Sequence, residues 1–134
     1  MNARDNKLFY DAFSDICTCN YCQFYIENIV RVYGELGEAF ALWGIDIRKP
    51  LELSIPYLDK EKIIYPFAQY IVIGNEESSM DIIKSNLHIK KATSYPKIDL
   101  GDEYFVIEIS DIVFDKSLAS VEILQELEED NGNI

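Results

Sequence analysis

The strongest pattern along the chain is a repeat of large apolar residues at helical spacing. They follow one another at steps of four, four, three, four, four and three: Tyr21, Tyr25, Ile29, Val32, Leu36, Phe40 and Trp43. This spacing places side chains on one face of a helix. With Asn20 as N-cap and Gly44 as C-terminal cap, it predicts helical structure over about residues 20–43. Gly34 and Gly37 each cost about 1 kcal/mol in a helix interior, so we expect a kink or two helices meeting near residues 33–35.

After Pro50 the pattern changes to the alternation of strands. Residues 51–55 alternate, and their apolar members, Leu51, Leu53 and Ile55, are expected to face inward. The apolar run over 67–73 predicts a central strand. A segment rich in β-branched and aromatic residues, 104–114, predicts a long strand that crosses the sheet. Residues 80–90 alternate in their second half and favour one more strand.

The two ends of the chain supply the remaining elements. Residues 8–13 are aromatic and loosely alternating, which predicts an edge strand or an extended arm. Near the other end, Ser117 is a candidate N-cap for a helix whose apolar residues recur at helical spacing: Leu118, Val121, Leu124 and Leu127. We expect residues 1–7 and 130–134 to be frayed.

The order of these elements predicts an α+β fold. No regular alternation of strand and helix occurs, so the sheet should be antiparallel rather than parallel. We predict an N-terminal helical hairpin (about 20–43) packed on an antiparallel sheet of three to five strands, with a C-terminal helix. A length of 134 residues suits a single domain, 1–134.

Charge narrows the range of partners. The net charge is −12, and residues 101–134 contain ten acidic residues against one base, Lys116. Nucleic acid is therefore an unsuitable partner, because its phosphates require a basic surface. The acidity is compatible with solubility alone, with attraction to a basic protein, or with mimicry of a nucleic-acid surface. Glu122, Glu126 and Glu129 form one stripe of the C-terminal helix and are the candidate surface for a basic partner.

The compartment is inferred from what the sequence lacks. No run approaches the ~18 apolar residues of a membrane span, and the first residues are polar. We therefore expect a cytoplasmic protein with no membrane partner. An odd cysteine count fits a reducing compartment.

The chain's three cysteines, Cys17, Cys19 and Cys22, lie within six residues. They allow three interpretations. Cys19 and Cys22 form a C-x-x-C pair at a helix start, where a thiol can become reactive, although the βαβ surroundings of a redox domain are absent. All three could bind zinc with His88, the only histidine, as fourth ligand, or with an oxygen from Asp15. Packing as small apolar groups is the interpretation we favour, because a second chelating pair is absent.

No enzymatic motif accompanies the cysteines. The chain contains no G-x-S-x-G, H-E-x-x-H, P-loop or G-x-G-x-x-G pattern. Paired carboxylates are uninformative among 24 acidic residues. We therefore lean towards a protein without enzymatic activity and assign no catalytic residue.

Three short segments together carry a resemblance. The C-T-C-N-Y-C of residues 17–22 is followed by G-I-D-I-R-K-P at 44–50 and by a predicted strand that ends in glycine at 69–74. Over about its first 75 residues the chain resembles a family of small bacterial proteins of unknown function, which share a C-x-C-x-Y-C segment and a G-I-D-x-x-K-P turn. The resemblance implies no activity.

Two functional hypotheses follow. The leading one is a non-enzymatic protein-binding module with an acidic surface and no cofactor, similar in size and charge to the immunity or inhibitor proteins that neutralise bacterial toxins. The alternative is a small thiol or structural-zinc protein that uses Cys17, Cys19 and Cys22.

Overall fold

The computed structural model describes residues 2–75 and 81–130 and has the predicted α+β architecture. Its helices are α1 (Ala3–Ala12), α2 (Asn20–Val32), α3 (Gly34–Leu42) and α4 (Val121–Asp130). Its strands are β1 (Glu52–Leu53), β2 (Tyr57–Asp59), β3 (Lys62–Ile73), β4 (Asp81–Lys84), β5 (Leu87–Lys91) and β6 (Tyr104–Asp115). The strands form one antiparallel sheet in the order β1-β3-β6-β5-β4, with β2 also paired to β3. Within the described residues, no helix combines the length and apolar character needed to cross a membrane.

The centre of the sheet is the pair of long strands β3 and β6. They are aligned from Lys62 opposite Asp115 to Ile73 opposite Tyr104, which confirms the strands predicted over 67–73 and 104–114. Their core-facing side chains pack in one cluster with those of the helices: Phe24, Tyr25, Ile29, Leu36, Phe40, Tyr65, Tyr70, Ile107 and Ile109. The sheet and the helical hairpin therefore share a single hydrophobic core.

The predicted helical hairpin is confirmed, with its break at Tyr33. Tyr33 has φ −118° and ψ 59°, outside helical geometry, and Gly34 starts α3. Val32 is 41% exposed, so its predicted inward position is wrong. The break lets Tyr33 turn inward instead, where its hydroxyl donates to the Val113 carbonyl at 2.7 Å. Gly44, at φ +79°, occupies the left-handed position after α3 that the sequence predicted.

The predicted strand or arm over residues 8–13 is wrong, because that segment belongs largely to α1. Asn2 caps this helix by accepting from the Asp5 N–H at 3.2 Å. The helix also contains residues 3–7, which were expected to be frayed. Its buried positions are Asn6 and Tyr10, which lie one turn apart. Because Asn6 is polar, the segment lacks the apolar repeat from which a helix is predicted. Asn6 is satisfied by donating to the Trp43 carbonyl at 2.9 Å and accepting from the Ile73 N–H at 2.7 Å.

The strands outside the central pair differ in detail from prediction. Within 51–55 only β1 is strand, and Ile55 is 70% exposed rather than inward. Residues 81–90 form most of the hairpin β4–β5 instead of one strand, and Met80 lies outside the described residues. The turn of this hairpin uses Ser85 and Asn86 at φ 54° and 64°, the left-handed pair typical of two-residue hairpin loops.

The helix ends also shift from their predicted positions. The N-cap of α2 is Cys19, one residue before the predicted Asn20. At the C-terminal helix, Ser120 rather than Ser117 caps α4, since its hydroxyl accepts from the Ile123 N–H at 3.3 Å. Ser117 instead lies in a short 3-10 turn after β6. The predicted frayed segment 130–134 lies outside the described residues except for Asp130.

Candidate metal centre

The three cysteines lie where the loop between α1 and α2 enters the second helix. Cys17 is in the loop, Cys19 caps α2, and Cys22 is in its first turn. The loop folds back at this point, so that the Cys19 N–H donates to the Cys17 sulfur at 3.5 Å. This local turn brings all three thiols to one end of the helix.

The three sulfur atoms form a compact group. All lie within 4.8 Å of one another. Tetrahedral zinc with Zn–S bonds of about 2.3 Å requires sulfurs about 3.8 Å apart. The group is thus within about 1 Å of metal-binding geometry, a distance that side-chain rotation can supply.

The cysteines are not core residues. Cys17 and Cys19 are exposed, and Cys22 is half-buried. The sequence-based preference for three small packing groups is therefore wrong for Cys17 and Cys19. The buried face of α2 begins only after its first turn, at Phe24 and Tyr25, so Cys17 and Cys19 lie outside the part of this segment that packs on the core.

Hydrogen bonding and burial shift the pKa values of Cys17 and Cys22 in opposite directions. The Cys19 N–H and the thiols of Cys22 and Cys19 donate to the Cys17 sulfur, which lowers the pKa of Cys17. The charge of Glu52 acts on Cys17 in the opposite direction. Burial raises the pKa of Cys22, and its donation to the neighbouring sulfurs raises it further. Cys17 therefore ionises more readily than Cys22, whose proton a bound cation would displace.

A groove of about 370 Å³ opens beside the sulfurs. One part of its wall is apolar and includes Ile26 and Leu53. Two carboxylates also line it, Asp15 from the loop and Glu52 from β1. The groove therefore brings carboxylate oxygens and solvent-accessible space next to the three thiols.

His88 does not lie with the cysteines. It is an exposed residue of β5, where its backbone pairs with Ser110 of β6. Two strands, β6 and β3, separate β5 from β1 and the groove. Three strand spacings of about 4.8 Å place it roughly 14 Å across the sheet from β1. The structure therefore does not bring His88 to the cysteines.

The three acidic residues predicted to bind a basic partner, Glu122, Glu126 and Glu129, do not all face solvent. Glu122 and Glu129 are exposed on α4, whereas Glu126 is half-buried. The Asn20 side-chain amide donates to the Glu126 carboxylate, which ties α4 to the start of α2. Of the three residues predicted to form the binding surface, Glu122 and Glu129 are therefore exposed, whereas Glu126 connects α4 to α2.

The structure adds Glu52 to the candidate residues, which the sequence did not single out. Glu52 lies 30 residues after Cys22 in the chain, and the alternation over 51–55 predicted only that its side chain faces outward. Pairing of β1 with β3, at Glu52 opposite Gln69, brings it to the groove. No local spacing could have indicated this neighbour.

Comparison of the chain with known protein families, with curated proteins and with solved structures finds no match. The resemblance to small bacterial proteins with a C-x-C-x-Y-C segment therefore stays a prediction. The functional argument rests on the fold and on the geometry of the site.

Proposed function

We propose that the protein binds a zinc ion through Cys17, Cys19 and Cys22 and that the metal has a structural role. The observation that supports this most is the grouping of the three sulfurs within 4.8 Å at the exposed start of α2. A hydrogen bond from the backbone to Cys17 further favours the thiolate form that metals require.

Zinc fits this donor set better than other thiophilic metals. Thiolates select Cu(I), zinc and iron–sulfur clusters. Iron–sulfur clusters generally take four cysteines, and the chain has three. Zinc also accepts carboxylate oxygens, which Asp15 and Glu52 offer in the same groove, whereas Cu(I) prefers sulfur alone.

The structural role follows from the position of the ligands. The segment between α1 and α2 has no regular secondary structure over residues 13–18. Chelation by Cys17 and Cys22 would fasten this loop across the first turn of α2. Free zinc at about 1,000 times its dissociation constant would stabilise the folded state by about 4 kcal/mol.

The test is zinc binding by purified protein, measured as metal content and as thiol reactivity. We expect about one zinc per chain, with the thiols protected until a chelator removes the metal. The triple variant Cys17→Ser/Cys19→Ser/Cys22→Ser should abolish zinc binding, and His88→Ala should leave it unchanged. Binding that survives the triple substitution, or that depends on His88, would contradict the proposal.

A second candidate function is the acidic protein-binding surface that led the sequence analysis. Glu122 and Glu129 are exposed on α4, and Val121, which precedes Glu122, is 66% exposed. A basic partner captured there should dissociate as salt rises, because exposed charges are screened beyond about 10 Å at 0.1 M salt. A pull-down at low salt compared with Glu122→Lys/Glu129→Lys protein tests it: capture that is equal for both proteins counts against this surface.

A further inference from the structure

Three cysteine ligands leave one position of a tetrahedral zinc ion to be filled. A fourth protein ligand makes a closed, structural site, whereas water at that position makes the open site typical of zinc enzymes. The identity of the fourth ligand therefore decides what the centre can do. His88, which lies across the sheet, is unsuited to the position.

Glu52 is held beside the sulfurs by its strand. The flanking residues bond to β3, with the Leu51 N–H donating to the Gln69 carbonyl at 2.7 Å and the Ser54 N–H donating to the Phe67 carbonyl at 3.0 Å. Glu52 lines the same groove as the cysteines, and its charge acts on the Cys17 sulfur. The backbone is thus fixed, while the exposed side chain keeps its rotamer freedom.

Zinc binding requires the thiolate forms of the three cysteines, and the Glu52 carboxylate in the same groove would then lie near like charges. A carboxylate next to a thiolate is repulsive, and the repulsion is larger in a partly enclosed groove than in open water. Within the described part of the chain, the ion pairs involve other carboxylates, those of Asp11, Asp46, Glu108 and Asp115. A divalent cation between Glu52 and the sulfurs would turn this repulsion into attraction.

We propose that the Glu52 carboxylate is the fourth zinc ligand, an inference that rests on the proposed zinc function. The compact group of sulfurs does not include the Glu52 oxygens, so the side chain must rotate to reach the metal. Exposed side chains change rotamer in picoseconds to nanoseconds, so this rotation presents no kinetic barrier to binding. The closed site would join three segments: the α1–α2 loop, the first turn of α2 and the edge strand β1.

Asp15 provides a matched control. It lines the same groove and carries the same charge, but it lies in the loop between α1 and α2, two residues before Cys17. If a nearby negative charge were all that zinc needed, removing either carboxylate would weaken binding to a similar extent. If Glu52 is a ligand, its removal alone should change both the affinity and the coordination geometry.

The experiment measures zinc affinity by competition with a chromophoric chelator, and coordination by the visible absorption of the cobalt(II) form. Loss of even an outer-shell partner commonly costs 10–100-fold in metal affinity, so Glu52→Gln should weaken zinc binding by at least about ten-fold. Its cobalt spectrum should keep the sulfur charge-transfer bands of three thiolates but change in the ligand-field region. Asp15→Asn should weaken zinc binding less than Glu52→Gln does and should keep the ligand-field bands of the unchanged protein. Glu52→Asp should give an affinity between those of Glu52→Gln and the unchanged protein.

Each outcome has one meaning for Glu52. Wild-type affinity and spectrum in Glu52→Gln, or equal losses in Glu52→Gln and Asp15→Asn, would overturn its assignment as ligand while zinc binding by the cysteines stands. Absence of zinc binding by the unchanged protein would overturn both proposals. Circular dichroism of each variant separates a lost ligand from a lost fold.

Discussion

Tyr70→Phe should destabilise the protein more than Tyr25→Phe, although the two hydroxyls form one buried pair. The Tyr70 hydroxyl donates to the Ile47 carbonyl at 2.7 Å, so its proton is already used. The Tyr25 hydroxyl must therefore be the donor in the Tyr25–Tyr70 bond. Both side chains are fully buried, and this burial raises the pKa of each phenol, so both remain protonated at neutral pH.

The expected magnitudes follow from which groups lose their partners. Tyr70→Phe breaks two hydrogen bonds and leaves both the Tyr25 hydroxyl and the Ile47 carbonyl without a partner in the core. Each unsatisfied group costs about 1–3 kcal/mol, so for the two groups we expect a loss of about 2–6 kcal/mol. Tyr25→Phe breaks one bond, and the remaining Tyr70 hydroxyl still donates to Ile47, so the loss should be about 0.5–1.5 kcal/mol.

Urea unfolding followed by Trp43 fluorescence and circular dichroism measures these differences. The Tyr25→Phe/Tyr70→Phe double variant should cost less than the sum of the single variants, because removing the Tyr25 hydroxyl also removes an unsatisfied donor. A loss in Tyr25→Phe equal to or larger than that in Tyr70→Phe would refute the assigned donor direction. Strict additivity would show that the hydroxyls do not act as a pair.

Two further predictions concern the same core. Asn6→Ala should cost about 2–6 kcal/mol in urea unfolding, because it leaves the Ile73 N–H and the Trp43 carbonyl without their hydrogen-bond partner. A loss below about 0.5 kcal/mol would count against this bridge. Among the tyrosines that lie in the core, burial raises the pKa of four above the unfolded value near 10: Tyr10, Tyr25, Tyr65 and Tyr70. Their contribution is therefore fully present below pH 10 and falls above it by about 1.4 kcal/mol per pH unit per tyrosine. Phenolate absorbance should show these four ionising only with unfolding, and ionisation of all nine near pH 10 in folded protein would contradict this.

The predictable part of the fold is the part in which each face of an element is chemically uniform. The apolar period across α2 and α3, with a glycine at the break, indicated both helices and their junction. In α1 the buried face carries Asn6, whose partners Trp43 and Ile73 are distant in the chain. Its tertiary hydrogen bonds override the local pattern, and the segment was misread as extended.

Part of the candidate site could also be predicted from the sequence, and part could not. Cys17, Cys19 and Cys22 are brought together by a single local turn, so their proximity could be predicted from spacing. Their exposure could not, because it depends on which face of α2 meets the sheet. His88 was predicted as a neighbour of the cysteines and Glu52 was not. Strand order, which sequence spacing does not encode, places Glu52 beside the groove and His88 across the sheet.

The most direct test of the account is native mass spectrometry of the protein purified under reducing, chelator-free conditions. The account predicts a mass increase that corresponds to about one zinc ion per chain, with the thiols becoming reactive after chelation. Metal-free protein that remains metal-free after incubation with zinc, with Cys17 and Cys19 fully reactive, would contradict it.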